Sequence, residues 1–205
     1  MTVTLENLQK SYGPLPVLSG CSFTFQSGRT YCLMGPSGAG KTTLFRILMG
    51  LEKADGGTVR FEADGEALRG VPRFSAVFQE DRLCETFSPV ENLKLTLGKS
   101  VPEEEIRREL SLLLPEESLS RPAFTLSGGM KRRTAICRAM TAPSLAIVMD
   151  EPFTGLDEKT KEQVIRYIKS RQRGRLLIIS THQEEDVRLL GGELVTLTGL
   201  TSPAL

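Results

Sequence analysis

Three short apolar runs along the chain have the length of buried β-strands. They occupy residues 30–34, 145–149 and 176–179, and each is flanked by polar residues or glycine. Apolar runs of this length are typical of strands that are covered on both faces of a parallel sheet. We therefore expect these three segments to lie side by side in one core sheet.

Helical patterns alternate with these runs. After the first run, apolar residues repeat at i, i+3, i+4 and i+7, namely at Leu44, Ile47, Leu48 and Leu51. Asp157 is placed to cap a later helix that continues to about Arg171. Strands that alternate with helices predict an α/β fold whose core sheet is mostly parallel and whose strands are joined by crossover helices.

Shorter or less regular patterns occupy the rest of the chain. Further strands are predicted at residues 2–8, 17–18, 23–25, 58–61 and 74–78, with turns at 10–14 and 55–57.

From Glu80 to about Ser120 the sequence pattern changes from strand-like to helical. Pro102 precedes three glutamates, which suit the positive end of a helix, and Pro115 ends the apolar face that follows. We interpret this region as a helical insertion outside the sheet.

A phosphate-binding motif lies between the first strand and the first helix. Its residues have the spacing of a P-loop: Gly35-Pro36-Ser37-Gly38-Ala39-Gly40-Lys41-Thr42. Glycines allow the backbone N–H groups to curl around a phosphate at the positive end of the helix. We expect Lys41 to reach the β- and γ-phosphates of a nucleotide and the Thr42 hydroxyl to bind Mg²⁺.

Polar side chains follow the other two apolar runs. Asp150 and Glu151 come directly after the second run, and His182, the only histidine, comes shortly after the third. Open α/β sheets place their chemistry at the carboxyl ends of their strands. A lone histidine is more often structural than catalytic, but this placement favours a functional role.

Composition and charge argue against a nucleic-acid-binding protein, a cysteine-based metal site and a membrane-spanning chain. The 205 residues are 40% hydrophobic and 25% charged, as in a globular domain, and the net charge of +1 gives no reason to expect a nucleic-acid partner. The cysteines lack metal-site spacing, and the apolar surroundings of Cys32 and Cys137 favour reduced thiols. We find neither a signal peptide nor an apolar run long enough to span a membrane, so we expect a cytoplasmic protein that meets any membrane through a partner.

Three further segments can be interpreted from local sequence alone. Residues 126–129, with the sequence LSGG, precede a helix and form a possible second anion-binding helix start. The basic run at residues 131–133 is interpreted as a solvated helix face. Tyr12 is interpreted as a half-buried tyrosine in a turn.

Together these segments resemble the ATP-binding cassette (ABC) ATPase family over essentially the whole chain. The motifs follow that family's order: a Walker A loop at Gly35–Thr42, a Q-loop at Gln79, a signature at 126–129, a Walker B strand ending at Asp150-Glu151, a D-loop at 154–157 and an H-loop at His182. The resemblance implies a P-loop NTPase fold with an N-terminal antiparallel β region and a helical subdomain. It implies one ABC ATPase domain over 1–205, with the core at 1–79 and 141–205 and the helical subdomain at about 80–140.

The resemblance also implies how ATP and Mg²⁺ are bound. Tyr12, in place of its structural interpretation, is expected to stack on adenine with Val17 beside it. Thr43 is expected to contact the α-phosphate next to the P-loop. Asp150 and Gln79, together with Thr42, are expected to hold Mg²⁺.

Catalytic roles are implied for a second set of residues. Glu151 is expected to act as the general base on the attacking water, with Lys41 and His182 on the γ-phosphate. The signature would bind the γ-phosphate held by another subunit, and the nucleotide-contacting residues implied on that side are Ser127, Gly128, Gly129 and Asp157. Two cassettes, identical or different, would then enclose two ATP molecules head to tail.

Two residues depart from the family's usual motifs. Met130 follows the signature where Gln is usual, and because the serine and glycines are intact we expect altered efficiency rather than loss of activity. Gly155 replaces the usual alanine of the D-loop and should make that loop more flexible. Because only 23 residues follow His182, we expect no C-terminal regulatory domain of the kind that some importer ATPases carry.

The resulting expectation is the ATP-binding subunit of a bacterial solute importer, held on the inner face of the membrane by a permease and served by a solute-binding protein. Residues 79–83 resemble the Q-loop of ATPases for nitrate, sulfonate and taurine uptake. An ABC ATPase that releases lipoproteins or serves a cell-division complex remains an alternative. A small-molecule P-loop kinase would lack the LSGG segment, and the ABC proteins of DNA repair or translation usually carry long insertions or paired cassettes.

Overall fold

A computed structural model describes residues 1–197, and the end of the predicted core, 198–205, lies outside the described residues. The elements run in chain order as β1 (Thr2–Tyr12), β2 (Leu15–Gln26), β3 (Thr30–Met34), α1 (Lys41–Leu48), β4 (Gly56–Ala63), β5 (Glu66–Ala67), β6 (Phe74–Val77), α2 (Pro89–Leu97), α3 (Glu103–Leu110), α4 (Gly128–Thr141), β7 (Ala146–Asp150), α5 (Glu158–Arg171), β8 (Leu176–Ser180), α6 (Glu184–Leu190) and β9 (Glu193–Thr196). The chain divides into two compact units. The first unit comprises residues 1–74, 144–150 and 174–197, and the second comprises 75–143 and 151–173.

The first unit contains the predicted parallel sheet. Four of its strands lie side by side in the order β7-β8-β3-β9, and all three pairings between them are parallel. Asp150 and Leu33 both pair with Ser180, so the carboxyl ends of β7, β3 and β8 meet at one edge. The P-loop follows β3 and His182 follows β8, so the candidate chemistry of this unit gathers at that edge.

Burial explains why these strands were predictable. Every residue of β7 and β8 is buried, and so are the central residues of β3. Two predicted apolar positions differ from expectation. Leu145 precedes β7 and is exposed, and Leu51 lies beyond the end of α1 and is also exposed. The apolar pattern therefore predicts each element correctly but overestimates its length, by one residue for β7 and by about one turn for α1.

An antiparallel sheet completes the first unit, in the order β2-β1-β4-β5. It is the N-terminal β region that the family resemblance implies. Its strands are longer than predicted, because residues 10–12 continue β1, residues 56–57 begin β4, and the two predicted strands at 17–18 and 23–25 are parts of β2. Residues on the exposed face of an antiparallel sheet can be polar, and apolar runs therefore underestimate such strands.

The second unit contains α2 to α5. α3 begins after Pro102, as predicted, but it ends at Leu110 rather than near Pro115. The apolar positions of the predicted helix are all buried: Ile106 and Leu110 in α3, and Leu113 and Leu114 after it. α2 begins at a capping box in which Ser88 and Glu91 exchange hydrogen bonds, a local start signal that is visible in the sequence. α5 begins after Asp157 and ends at Arg171, as predicted.

A partly buried chain of polar side chains joins three helices of the second unit. The Cys137 thiol of α4 lies 3.3 Å from the Tyr167 hydroxyl of α5, which donates at 2.7 Å to the Glu109 carboxylate of α3. Arg171 of α5 donates to the same carboxylate at 2.6 Å. Burial raises the pKa of the Cys137 thiol to about 12, so the thiol stays protonated at neutral pH. Cys21, Cys32 and Cys137 are buried thiols, and Cys84 is exposed.

No helix within residues 1–197 is both long enough and apolar enough to cross a lipid bilayer.

Candidate functional site

The P-loop of the first unit has a backbone that only glycine adopts easily. Gly38 and Gly40 have φ values of 81° and 97°, in the left-handed region that is strained for other residues. Gly40 is the N-cap of α1. A Cβ atom at Gly40 would also lie 2.8 Å from a Cγ of Val17, so a side chain at this position would displace Val17 from the loop. The structure thus places Val17 directly against the P-loop.

Lys41 lies inside the loop. Its side chain is only 6% exposed, and its Nζ donates to the backbone oxygens of Gly35 at 2.7 Å and Pro36 at 3.1 Å. A buried ammonium group is costly unless it is hydrogen-bonded, and the loop carbonyls supply that compensation. The result is a fixed positive charge at the centre of a glycine-rich loop, next to the N-terminus of α1. Both features favour a polyphosphate.

Asp150 joins the P-loop helix to the neighbouring strand ends. Its carboxylate is 4% exposed and accepts hydrogen bonds from the Thr42 hydroxyl at 2.5 Å and from the Ser180 hydroxyl at 2.6 Å. The two donors come from α1 and β8, so the carboxylate is held from both sides. Sequence reasoning did not identify Ser180 as a site residue. Its position at the end of a predicted strand beside Asp150 could have suggested the contact.

The oxygen atoms of Thr42 and Asp150 fit a magnesium ion. Mg²⁺ prefers hydroxyl, carboxylate, water and phosphate oxygens, and it usually takes only one or two ligands from the protein. Within residues 1–197 no cluster of three or more His, Cys, Asp and Glu side chains could hold a metal. A sparse set of protein oxygens beside a phosphate-binding loop is the donor set expected for a metal that arrives with a nucleotide.

His182 lies at the same edge of the sheet as Asp150. It is exposed and follows Thr181, whose backbone N–H donates to the carbonyl oxygen of Leu33 at the end of β3. That bond, at 3.2 Å, extends the pairing of β8 with β3 by one residue beyond Ser180. The register of the sheet therefore brings His182 to the strand that leads into the P-loop.

Tyr12 lies at the end of β1 rather than in a turn, and it is 47% exposed. Its hydroxyl donates to the carboxylate of Glu52 at 2.5 Å. Arg46 of α1 donates to the same carboxylate at 3.1 Å, and Lys10 lies 3.6 Å from it. The hydrogen bond from Tyr12 and the nearby cations lower the pKa of Glu52, so it is charged at neutral pH. Tyr12 is thus an exposed ring whose hydroxyl end is fixed by the residues that follow the P-loop helix.

In the second unit, the LSGG segment forms the start of α4. Ser127 is the N-cap, and its hydroxyl accepts a hydrogen bond from the N–H of Met130 at 3.3 Å. Ser127 and Gly128 are exposed, and Gly129 is half-buried. The first turn of α4 therefore presents a serine and glycine backbone to its surroundings, as expected for an anion-binding helix start.

The basic run after this segment is not a solvated face, so that interpretation was wrong. Arg132 is buried and donates to the carbonyl oxygens of Phe78 at 2.8 Å and Gln79 at 2.6 Å. Arg138, six residues further along α4, donates to the carbonyl oxygens of Asp81 at 3.0 Å and Arg82 at 2.9 Å. The two guanidinium groups satisfy four backbone acceptors in the segment around Gln79. This contact joins positions more than 50 apart in the sequence, and no local pattern indicates it.

The segment after β7 contains two unusual backbone conformations. Glu151 has a φ of 49°, which costs a non-glycine residue about 1–3 kcal/mol and is common at functional sites. Gly155 has a φ of 77°, so glycine matches a conformation that the usual alanine would adopt only with strain. Asp157 caps α5 through the N–H and the hydroxyl of Thr160, and these bonds lower its pKa.

The structure brings the predicted residues together in two groups. The first unit gathers the P-loop, Val17, Asp150 and His182 around one sheet edge, with Tyr12 at the end of β1. The second unit contains the remaining predicted residues: Gln79, Ser127, Gly128, Gly129, Glu151 and Asp157. Thr43, next to the P-loop, is buried in α1.

Comparison with known proteins identifies a family. A family model described as ABC transporter matches residues 18–154. The sulfate/thiosulfate import ATP-binding protein CysA of Methylococcus capsulatus is 34% identical, over 96% of this chain and 60% of that protein. The Nod factor export ATP-binding protein I of Ralstonia nicotianae is 34% identical over 95% and 64%, and the spermidine/putrescine import ATP-binding protein PotA of Haemophilus influenzae is 33% identical over 95% and 55%. The chain therefore spans between 55% and 64% of the length of these curated relatives.

A solved structure of the same architecture covers nearly the whole chain. The dimeric structure of the bacterial ABC transporter cassette MJ0796 has a TM-score of 0.81 and 28% sequence identity, over 96% of this chain and 95% of that chain.

Proposed function

The chain belongs to the ABC transporter family, and we propose that it binds and hydrolyses ATP as the ATP-binding subunit of a membrane transporter. The observation that carries this proposal is the arrangement around the P-loop. Lys41 is buried inside the loop, and Thr42 is hydrogen-bonded to the carboxylate of Asp150, which ends β7. Such a site offers a fixed cation for phosphates and oxygen ligands for their metal.

ATP binding is assigned mainly to residues of the first unit, with Gln79 of the second unit as a further Mg²⁺ ligand. The P-loop N–H groups and Lys41 would hold the β- and γ-phosphates, and Thr43 would contact the α-phosphate. Tyr12 would stack on adenine with Val17 beside it, since Val17 packs against Gly40. Thr42 and Asp150, with Gln79, would hold Mg²⁺, which would neutralise phosphate charge.

Hydrolysis is assigned to Glu151 and His182. Transfer of a phosphoryl group to water depends mainly on positioning and electrostatic stabilisation. Glu151 would accept a proton from the attacking water, and His182 would contact the γ-phosphate and orient that water. Lys41 would stabilise the charge that develops on the transferred group. The left-handed backbone of Glu151 supports a functional role, because strain of that kind persists where the surrounding structure requires it.

We further propose that two cassettes share each site. A P-loop holds one side of a triphosphate, and the exposed Ser127, Gly128 and Gly129 offer N–H groups and a hydroxyl for the other side. Asp157 would lie beside them in the D-loop. The similar cassette MJ0796 is described as dimeric, which supports such an arrangement. The second copy could be this chain or a related cassette.

The transporter is proposed to be a bacterial importer. Two of the three relatives named above are import ATP-binding proteins, for sulfate or thiosulfate and for spermidine or putrescine. The partners would be a permease, which would hold the chain at the inner face of the cell membrane, and a solute-binding protein. An exporter is the second candidate, because the Nod factor export protein is as similar as the first import protein.

Replacement of Glu151 by Gln tests the proposed enzyme activity. We expect the purified parent protein to hydrolyse ATP only when Mg²⁺ is present. The E151Q variant should bind ATP, lose hydrolysis and elute as a dimer on gel filtration when ATP is added. Hydrolysis by E151Q at the parent rate would remove Glu151 from the role of general base.

A mixture of two inactive proteins tests the shared site. One protein carries Lys41→Ala and the other carries Ser127→Arg. In a shared arrangement the mixed dimer collects both lesions in one site and leaves the other site intact, so single-turnover hydrolysis should reappear. Mixed dimers that form but neither hydrolyse nor occlude ATP would contradict the shared site.

A further inference from the structure

The Thr181 hydroxyl makes two hydrogen bonds whose partners lie beyond His182. It donates to the carboxylate of Asp186 and accepts from the backbone N–H of Gln183 at 3.1 Å. Thr181 and Asp186 are 4% and 2% exposed, whereas His182 between them in the chain is exposed. A buried pair of side chains therefore closes a short loop around the exposed histidine.

The carboxylate determines how this loop closes. A threonine hydroxyl has one proton and two lone pairs, so it can accept from Gln183 in a fixed direction only if its own proton has a fixed acceptor. Asp186 is that acceptor. The β-branched side chain of threonine has few rotamers, so the hydroxyl cannot swing away without breaking both bonds. The backbone on the C-terminal side of His182 is thereby tied to the side chain that precedes it.

The same threonine is anchored to the sheet. Its N–H donates to the carbonyl oxygen of Leu33 at 3.2 Å, two positions before the P-loop begins. Burial, and to a smaller extent the charge of Asp186, raises the pKa of the Cys32 thiol of β3 to about 12. The backbone on the N-terminal side of His182 is thus fixed to β3, and Asp186 holds the other side to the same place.

Burying a carboxylate is costly unless its hydrogen bonds repay the cost. Asp186 is the third residue of α6, where the helix N-terminus favours a negative charge. A surface acid at the start of a helix would gain that benefit without being buried. The hydrogen bond from Thr181 offsets part of the cost of burying Asp186.

We propose that Asp186 and Thr181 are positioning residues that fix the His182 loop at the edge of the parallel sheet. Both side chains are buried, and they act through the orientation of His182. The inference rests on the proposed role of His182 in hydrolysis.

Three variants separate positioning from simple stabilisation. Thr181→Ser keeps the hydroxyl, and Thr181→Val keeps the shape but removes it. The double variant Thr181→Val with Asp186→Leu removes both partners, which avoids an orphaned buried charge and so protects the fold. The midpoint temperature of thermal unfolding should be close to that of the parent for the serine and double variants. It should be lower for the single valine variant.

The first readout is the NMR spectrum of the protein without nucleotide. The chain contains one histidine, so the imidazole Cε1–H signal of a ¹³C-labelled, tag-free protein is that of His182. We expect one narrow signal for the parent and for Thr181→Ser. The valine and double variants should show a broadened or split signal, because the loop exchanges between conformations.

The second readout is steady-state ATP hydrolysis. We expect kcat to fall about tenfold in the double variant, equivalent to about 1.4 kcal/mol, with KM for ATP within about twofold of the parent. Thr181→Ser keeps the hydroxyl, so its kcat should equal that of the parent. A double variant with the parent spectrum and the parent kcat would overturn the inference and leave the pair a purely structural role.

A further control separates this inference from the proposed function. If the imidazole signal changes as expected but hydrolysis stays at the parent level, the loop is held as inferred and the proposed catalytic role of His182 fails. In that case His182→Ala should also hydrolyse ATP at the parent rate.

Discussion

The two ends of the proposed nucleotide site are built in different ways within the first unit. At the phosphate end, Lys41 and Asp150 are buried and are held by backbone carbonyls and by hydroxyl groups from two elements. At the base end, the Tyr12 ring is exposed and its hydroxyl is held by Glu52, which forms partly exposed ion pairs with Lys10 and Arg46. Buried hydrogen-bonded charges are costly to disturb, whereas ion pairs near the surface contribute about 0–1 kcal/mol. A substitution at the phosphate end should therefore strongly reduce ATP hydrolysis. A substitution at the base end should only weaken ATP binding.

The largest expected effect is at Lys41. Lys41→Met removes the cation at the centre of the loop, and loss of one preorganised charge in a phosphoryl-transfer site typically lowers kcat by about 10²- to 10³-fold. ATP hydrolysis measures the effect, with Lys53→Met as the control, because Lys53 is an exposed lysine of the same unit. A variant that retains more than half of the parent rate would show that the phosphate end does not depend on this charge.

The second prediction concerns Ser180, which holds Asp150 from the side of β8. Ser180→Ala removes one donor to a buried carboxylate, and loss of such a supporting contact costs about 10- to 100-fold in metal affinity in other proteins. We expect the Mg²⁺ concentration for half-maximal hydrolysis to rise by about tenfold or more. Ser19→Ala, at an exposed serine of β2, serves as the control. An unchanged Mg²⁺ titration would mean that Thr42 alone fixes Asp150.

The third prediction moves to the base end. Tyr12→Ala should weaken ATP binding by about 1–3 kcal/mol, the usual contribution of one aromatic ring stacked on a base. Tyr12→Phe keeps the ring and loses only the bond to Glu52, so its loss should be smaller. Titration with a fluorescent nucleotide measures both. Equal affinities for the alanine and phenylalanine variants would remove Tyr12 from the nucleotide site.

The smallest effect is expected from Glu52→Gln, which keeps a hydrogen-bond acceptor for Tyr12 but removes the charge that attracts Lys10 and Arg46. The loss in ATP affinity should be about 0.5–1 kcal/mol and should shrink as salt screens the parent's ion pairs. Titrations at low and high NaCl concentrations measure this. A loss as large as that of Tyr12→Ala at every salt concentration would show that the base end is as rigid as the phosphate end.

The same contrast explains what the sequence could predict. The P-loop and the strands β7 and β8 were predictable because a glycine spacing and fully buried apolar runs are local signals. Asp150 and His182 could be placed at one edge because parallel strands end together. Ser180 lies in the same pattern but was missed, since its role depends on the exact register of β7 and β8.

Contacts between distant segments could not be predicted. Arg132 binds carbonyl groups more than 50 positions earlier in the chain, and nothing in the basic run distinguishes that role from a solvated helix face. Glu52 follows the P-loop helix and belongs to no recognisable motif, and only the fold brings its carboxylate to the Tyr12 hydroxyl. The acids that begin α6 were a usable helix-start signal, but the bond from Thr181 to Asp186 requires the folded loop.

Binding of magnesium tripolyphosphate tests the central claim most directly, because this ligand has the phosphates of ATP and no base. The parent and the Tyr12→Ala protein are titrated with magnesium tripolyphosphate and with MgATP by calorimetry. We predict that tripolyphosphate binds both proteins with the same affinity, that ATP binds the variant more weakly, and that Lys41→Met removes binding of both ligands. Tripolyphosphate affinity that falls in parallel with ATP affinity in Tyr12→Ala would contradict a phosphate end that is assembled independently of the base end.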